Sequence, residues 1–238
     1  MTTLILLRHG RSSANAAGVL AGRTPGIELD ETGREQAARL VERLAGVPLA
    51  EVVCSPALRC AQTVAPLLAE RGLEAATEPE LAEVDYGAWT NRKLEELAKE
   101  PLWRVVQAHP SAAVFPEGEG LAGMQSRAVA AVRRHDARIA AAHGPRAVWL
   151  ACSHGDVIKS ILADALASHL DNFQRIVVDP CSISVVQYTE TRPFVVRVND
   201  LGGDVAGLVP PEPKPGEEGA EGNAEEASEA VVGGSTGA

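Results

Sequence analysis

The start of the chain sets the tightest constraint on its fold. Leu4-Ile5-Leu6-Leu7 runs without a polar break into Arg8-His9-Gly10. A short apolar run without alternation reads as a strand buried on both faces, the kind found in parallel sheets covered by helices. Such a strand needs neighbours on either side and layers above and below. In open sheets of this type, ligands bind just beyond the carboxyl ends of the strands. Arg8 and His9 occupy that place, and Gly10 lets the backbone turn there without a Cβ.

The rest of the chain supplies the missing layers. A capping box, Thr32 to Glu35, predicts a helix to about residue 45, with Ala37, Leu40, Val41 and Leu44 at helical spacing. Residues 51–54 read as a second strand. Ser55 as N-cap and Pro56 as first helical residue then open a helix reaching Arg71, kinked at Pro66. Residues 74–77 read as a third strand, 79–91 as loop and 92–99 as helix. Residues 101–120 read as irregular, apart from a turn around Trp103, and 121–143 as a long amphipathic helix. Residues 147–152 form a fourth expected strand, 157–166 a helix, and 182–188 and 194–199 the last strands. Strands alternating with helices predict an α/β fold: a three-layer α/β/α sandwich with a mainly parallel central sheet. With aromatics at 3%, the core must be mostly Ala, Val and Leu.

Charge divides the chain in two. The net charge is −10, but Asp204 onward carries eight acidic residues and one lysine, −7 of that total, leaving −3 for residues 1–203. Residues 1–201 are expected to form one domain. Residues 202–238, rich in Gly, Pro, Glu and Ala, are expected to be a disordered acidic tail. The acidic balance argues against nucleic acid as a partner. No stretch approaches the ~20 apolar residues of a membrane span, and the first apolar run is too short for a secretory signal. The four cysteines show no metal-ligand spacing. The expectation is a cytoplasmic protein with reduced, buried thiols, for which a homodimer is compatible.

Arg8-His9, Arg59, Glu83 and His154 each follow an expected strand, so a parallel sheet would bring them to one edge. Two imidazoles, two guanidiniums and a carboxylate there suggest phosphoryl transfer through a phosphohistidine. Arginine forks match phosphate oxygens. A histidine beside cations stays neutral and nucleophilic. A second histidine can stabilise transition-state charge, and a carboxyl can protonate the leaving alcohol and then activate water. Arg11, Arg23 and Tyr86 are further candidates for substrate contact. His109, His135, His143 and His169 read as surface residues.

These motifs resemble the histidine phosphatase superfamily, in the branch that contains cofactor-dependent phosphoglycerate mutases. Arg8-His9-Gly10 with Ser12 and Asn15 matches the family signature. Leu29, Gly33, Gln36 and Ala37 match its helix entry. Ser55-Pro56 with Arg59, Gln62 and Thr63 matches its second signature. Glu83 with Tyr86, Gly87 and Trp89 matches the acid loop, and Ser153-His154-Gly155 the last element. The resemblance spans about residues 3–200. It implies a phosphoglycerate mutase-like fold and catalysis without metal or cofactor, with His9 as nucleophile and Glu83 as proton donor. Arg8, Arg59 and His154 would form the phosphate pocket, assisted by Ser12, Asn15, Arg23 and Tyr86. The implied partner is a small phosphorylated substrate. Two departures fall near the pocket: Thr90-Asn91 follows Trp89, and Gly120 replaces a serine after Pro116-Glu-Gly118-Glu119. Mutases carry paired arginines between the acid and the second histidine, whereas residues 103–120 contain only Arg104. A phosphatase is therefore favoured. A mutase, and a binding protein without turnover, are the alternatives.

Overall fold

The computed structural model describes residues 1–203 of the 238. Apart from Gly202 and Gly203, the expected acidic tail lies outside the described residues. One six-stranded sheet has the order β3-β2-β4-β1-β5-β6. Its strands are β1 (Thr2–Arg8), β2 (Leu49–Cys54), β3 (Ala75–Thr77), β4 (Val148–Ser153), β5 (Ile183–Tyr188) and β6 (Pro193–Asp200). β1, β2, β3 and β4 are mutually parallel, and an antiparallel β5–β6 hairpin completes the edge beside β1. The helices are α1 (Ser13–Ala16), α2 (Glu31–Arg43), α3 (Leu58–Arg71), α4 (Leu94–Leu97), α5 (Pro101–Ala108), α6 (Leu121–His143) and α7 (Gly155–Ala165).

Alternating side chains of the central strands feed two cores. Leu4 and Leu6, with Val53, Trp149 and Ala151, pack against α5, α6 and α7. Ile5 and Leu7, with Val52, Cys54, Leu150 and Cys152, pack against α2 and α3. Burying one such leucine contributes roughly 1.5–3 kcal/mol, so the run from Leu4 to Leu7 anchors both cores at once. The expected layers and mainly parallel sheet are present.

Four local expectations are corrected. Asp30, not Thr32, caps α2: its carboxylate accepts from the Gly33 amide at 2.8 Å, while Thr32 Oγ1 accepts from Arg11. Ser55 does not cap α3, because its hydroxyl is bonded to His154. The chain bends at Pro56-Ala57, Ala57 takes the N-cap position, and the helix begins at Leu58. Residues 101–108 form two full helical turns, with Pro101 at the start and Trp103 and Val106 facing inward. Two buried positions were too few to show periodicity. His135 is no surface residue. It pairs with Glu78 at 2.7 Å, and its side chain is only 14% exposed.

Candidate active site

Strand register delivers the chemistry. Arg8 on β1 lies opposite Ser153 on β4, and Cys54 on β2 lies opposite Cys152. The chain then leaves each strand in step: the His9 amide donates to Ser153 O at 3.0 Å and the Ser55 amide to Cys152 O at 3.0 Å. His9, His154 and Ser55 therefore stand side by side past the sheet. Gly10 and Gly33 let the loop after β1 pack against the start of α2. A Cβ on Gly33 would lie 2.0 Å from Arg11 O.

His9 is 4% exposed. Its Nδ1 lies 2.8 Å from Gly10 O, and since a carbonyl only accepts, Nδ1 carries the proton. Nε2 is left with a lone pair, which accepts from Arg59 Nε at 3.2 Å. Burial, then the charges of Arg59 and Arg8, holds the imidazole's proton affinity well below the ordinary histidine value. The ring is thus neutral at pH 7, with Nε2 available for attack.

Arg59 joins the two imidazoles. Besides His9, its guanidinium donates to His154 Nδ1 at 3.0 Å and to Gly22 O at 2.9 Å. The rings of His9 and His154 are 5.2 Å apart, edge to face. His154 is also pushed well below its ordinary value, by burial first and then by Arg59. With Nδ1 accepting, its proton sits on Nε2 and donates to Ser55 Oγ at 2.7 Å. Arg8 is fully buried beneath them, one nitrogen donating to Val178 O at 2.7 Å.

The Glu83 carboxyl is buried, and its Oε1 accepts from the Val84 amide at 3.0 Å. Burial and the nearby Asp156 carboxylate raise its pKa to about 7, against the opposing pull of Arg59 and Arg8. Its loop is clamped from behind. Arg23 and Arg127 both donate to Glu83 O, at 2.8 and 3.2 Å, and both reach the Glu119 carboxylate. Glu119 in turn accepts from the Asp85 amide at 2.9 Å and donates its own amide to Asp85 O at 2.9 Å.

Glu83 and His154 line a cleft of about 350 Å3 with Arg23 and Ser55. His9, Arg8 and Arg59 lie buried close by. Ser12, Asn15 and Tyr86 do not line the cleft. Ser12 and Asn15 bond each other in a capping box at the start of α1. Tyr86 is fully buried, its hydroxyl donating to Asp156 at 2.9 Å. Arg23 lines the cleft, but its guanidinium is engaged by Glu83 O and Glu119. Three polar signature residues fasten backbone instead of facing the cleft. Gln36 accepts from the Arg11 amide, Gln62 from the Leu29 amide and Thr63 from the Gly10 amide. Sequence reasoning missed Ser55 as a partner of His154, and missed Asp156 and Arg127. Asp156 had a usable signal, a carboxylate directly after His154-Gly155 at the start of a helix that continues Val157-Ile158. Among the described residues, no group of three or more His, Cys, Asp or Glu side chains could hold a metal ion. None of the described helices is long and apolar enough to cross a membrane.

Comparison with known proteins gives this arrangement its context. The sequence profile of the histidine phosphatase superfamily (branch 1) matches residues 4–201. This chain belongs to that superfamily. Among curated relatives, phosphoserine phosphatase 1 of Hydrogenobacter thermophilus is 28% identical over 202 residues, covering 84% of this chain and 92% of its own. A probable phosphoglycerate mutase of Yersinia pestis is 29% identical over 212 residues, covering 87% and 95%. Among solved structures, a putative alpha-ribazole-5'-P phosphatase of Escherichia coli superposes with a TM-score of 0.73 at 26% identity, covering 86% and 98%. YhfR of Bacillus stearothermophilus superposes at 0.76 and 25% identity, covering 84% and 98%. The expected fold and family both stand. In this histidine phosphatase, the Arg-His-Gly turn after β1 and the Ser-His-Gly turn after β4 meet at one edge of the sheet.

Proposed function

We propose that the chain is a phosphatase acting on small phosphomonoesters through a phosphohistidine at His9 Nε2. The observation that carries this reading is the state of His9: neutral, its proton on Nδ1 pinned by Gly10 O, and its Nε2 lone pair turned to Arg59. In the first step Nε2 forms a bond to phosphorus as the ester P–O bond breaks. The leaving oxygen takes the proton of Glu83. Arg8 and Arg59 offset charge on the nonbridging oxygens, and His154, accepting from Arg59, holds that guanidinium in place. Each cationic contact near 4 Å is worth about 4 kcal/mol at an effective dielectric of 20, before desolvation. In the second step water attacks phosphorus, the N–P bond breaks, and the Glu83 carboxylate takes the water proton. Phosphate leaves, and the enzyme regains its starting protonation.

Hydrolysis is favoured over return of the phosphoryl group to a rebound product. A mutase must grip a second acidic group, and Arg104, the cation available for that in residues 103–120, lies on the exposed side of α5, opposite Trp103 and Val106. Phosphate release from a panel of phosphomonoesters tests the reading, with and without 2,3-bisphosphoglycerate and with His9→Ala as control. Unprimed, His9-dependent release supports it. Isomerisation of 3-phosphoglycerate that requires priming contradicts it.

A further inference from the structure

The cleft above Glu83 and His154 differs in character from the charged site beside it. Besides those two residues and the polar Arg23, Thr24 and Ser55, its wall is apolar, formed by Pro25, Pro56, Ala57, Leu58 and Ala82. At about 350 Å3 it is at the small end of ligand clefts, which run roughly 300–1,000 Å3. Leu58, at the first turn of α3, is 40% exposed, leaving a large aliphatic side chain wet at the rim. A ligand that covered it would recover that apolar surface from water.

The polar side chains in this lining are already engaged. Ser55 is bonded to His154, and Thr24 donates to Asn91 at 2.9 Å. Arg23, the cation of the cleft wall, donates to Glu83 O and Glu119 at 2.8 Å each and sits 4.0 Å from an Asp85 oxygen. Two carboxylates therefore already offset its charge. A substrate carboxylate entering here would meet a cation already paired with Asp85 and Glu119. It would lose part of its hydration and gain only a cation shared with two resident carboxylates.

We propose that the cleft selects phosphomonoesters whose alcohol is uncharged and mostly apolar. It disfavours those bearing a carboxylate near the ester, such as phosphoserine or 3-phosphoglycerate, and Leu58 is a specificity-determining contact. This rests on the phosphatase reading above and narrows it. Each methylene buried against the wall should raise kcat/KM roughly fourfold, the equivalent of ~0.8 kcal/mol.

The test is kcat/KM for phosphate release from alkyl esters of similar leaving-group basicity: propyl, butyl and 2-phenylethyl phosphate against O-phosphoserine and 3-phosphoglycerate. The expected result is a rise from propyl to butyl and at least a tenfold preference for 2-phenylethyl phosphate over both acids. Leu58→Lys, checked for folding by its thermal melt, should move the ratio of phosphoserine to 2-phenylethyl phosphate at least tenfold toward the acid. His9-dependent release that is as fast or faster from either acid overturns the proposal while leaving the phosphatase reading intact. An unchanged ratio in a folded Leu58→Lys protein overturns the role of Leu58. Absence of phosphate release and of phosphohistidine with every ester would instead sink the phosphatase reading itself.

Discussion

Replacing Glu83 by Gln keeps the shape of the acid loop and removes its proton. At its ordinary value of 4.5 a carboxyl would be protonated in roughly one molecule in 300 at pH 7. At about 7 it is protonated in about half, a gain of roughly 150-fold in available acid. The free enzyme must start with this proton, so the active fraction is halved near pH 7 and kcat/KM falls about tenfold per unit above it. Substrate ionisation near pH 6 supplies the acid limb. For an alkyl phosphate, Glu83→Gln should lower kcat/KM by about 10²–10⁴ and abolish the alkaline fall. For p-nitrophenyl phosphate, whose leaving group needs no proton, the first step should lose no more than about tenfold, while water attack still lacks its base. Rapid mixing should then show a burst of about one nitrophenolate per active site, followed by slow turnover. Equal losses with both esters, or an alkaline limb that survives the substitution, would refute the assignment of Glu83 as acid and base.

Other outcomes follow from the same geometry. Arg59→Gln removes the cation shared by His9 and His154 and should cost about 10²–10³ in kcat/KM. It also lifts a charge that holds His9 neutral, so the pH at which His9 titrates, followed by NMR of the free protein, should rise. Glu83 has a raised pKa in the fold, so its contribution to stability is present below pH 4.5 and lost as pH rises through about 7. Glu83→Gln should accordingly melt higher than the parent at pH 8, and the difference should vanish at pH 4. A lower melting point at pH 8 would contradict this. Gly87 has φ of +51°, and a Cβ there would stand 2.1 Å from Pro116 O. Gly87→Ala should therefore push the acid loop off residues 116–119, costing at least 2 kcal/mol in denaturant unfolding on the order expected for strained glycine sites.

Much of the fold was legible because hydrophobic pattern and turn chemistry agreed. The run from Leu4 to Leu7 announced a doubly buried strand, and each later apolar run punctuated by Gly or Pro marked another. Short elements escaped. The single turn at Ser13–Ala16 and the two turns at Pro101–Ala108 bury too few side chains to leave a period. In the candidate site, the convergence of Arg8, His9, Arg59, Glu83 and His154 could be read from strand-end positions, because parallel register turns sequence position into place. What could not be read was the use of each polar group. Ser55 looked like a helix cap, and only the pairing of β2 with β4 brings it against His154. Tyr86 looked like a substrate contact, yet its ring packs on Phe115 and its hydroxyl finds Asp156, 70 residues away. Arg23 looked free because its counterions, Asp85 and Glu119, arrive from separate loops.

The nucleophile can be tested directly by trapping the intermediate. The enzyme is mixed with a phosphomonoester that it turns over and quenched in denaturing alkali, where N–P bonds survive, then mapped by mass spectrometry and phosphorus NMR. The account predicts one phosphoryl group on His9 at Nε2, since Gly10 O holds the proton on Nδ1, and none in His9→Ala. Phosphate on Nδ1, on His154 or on no histidine during active turnover would contradict it.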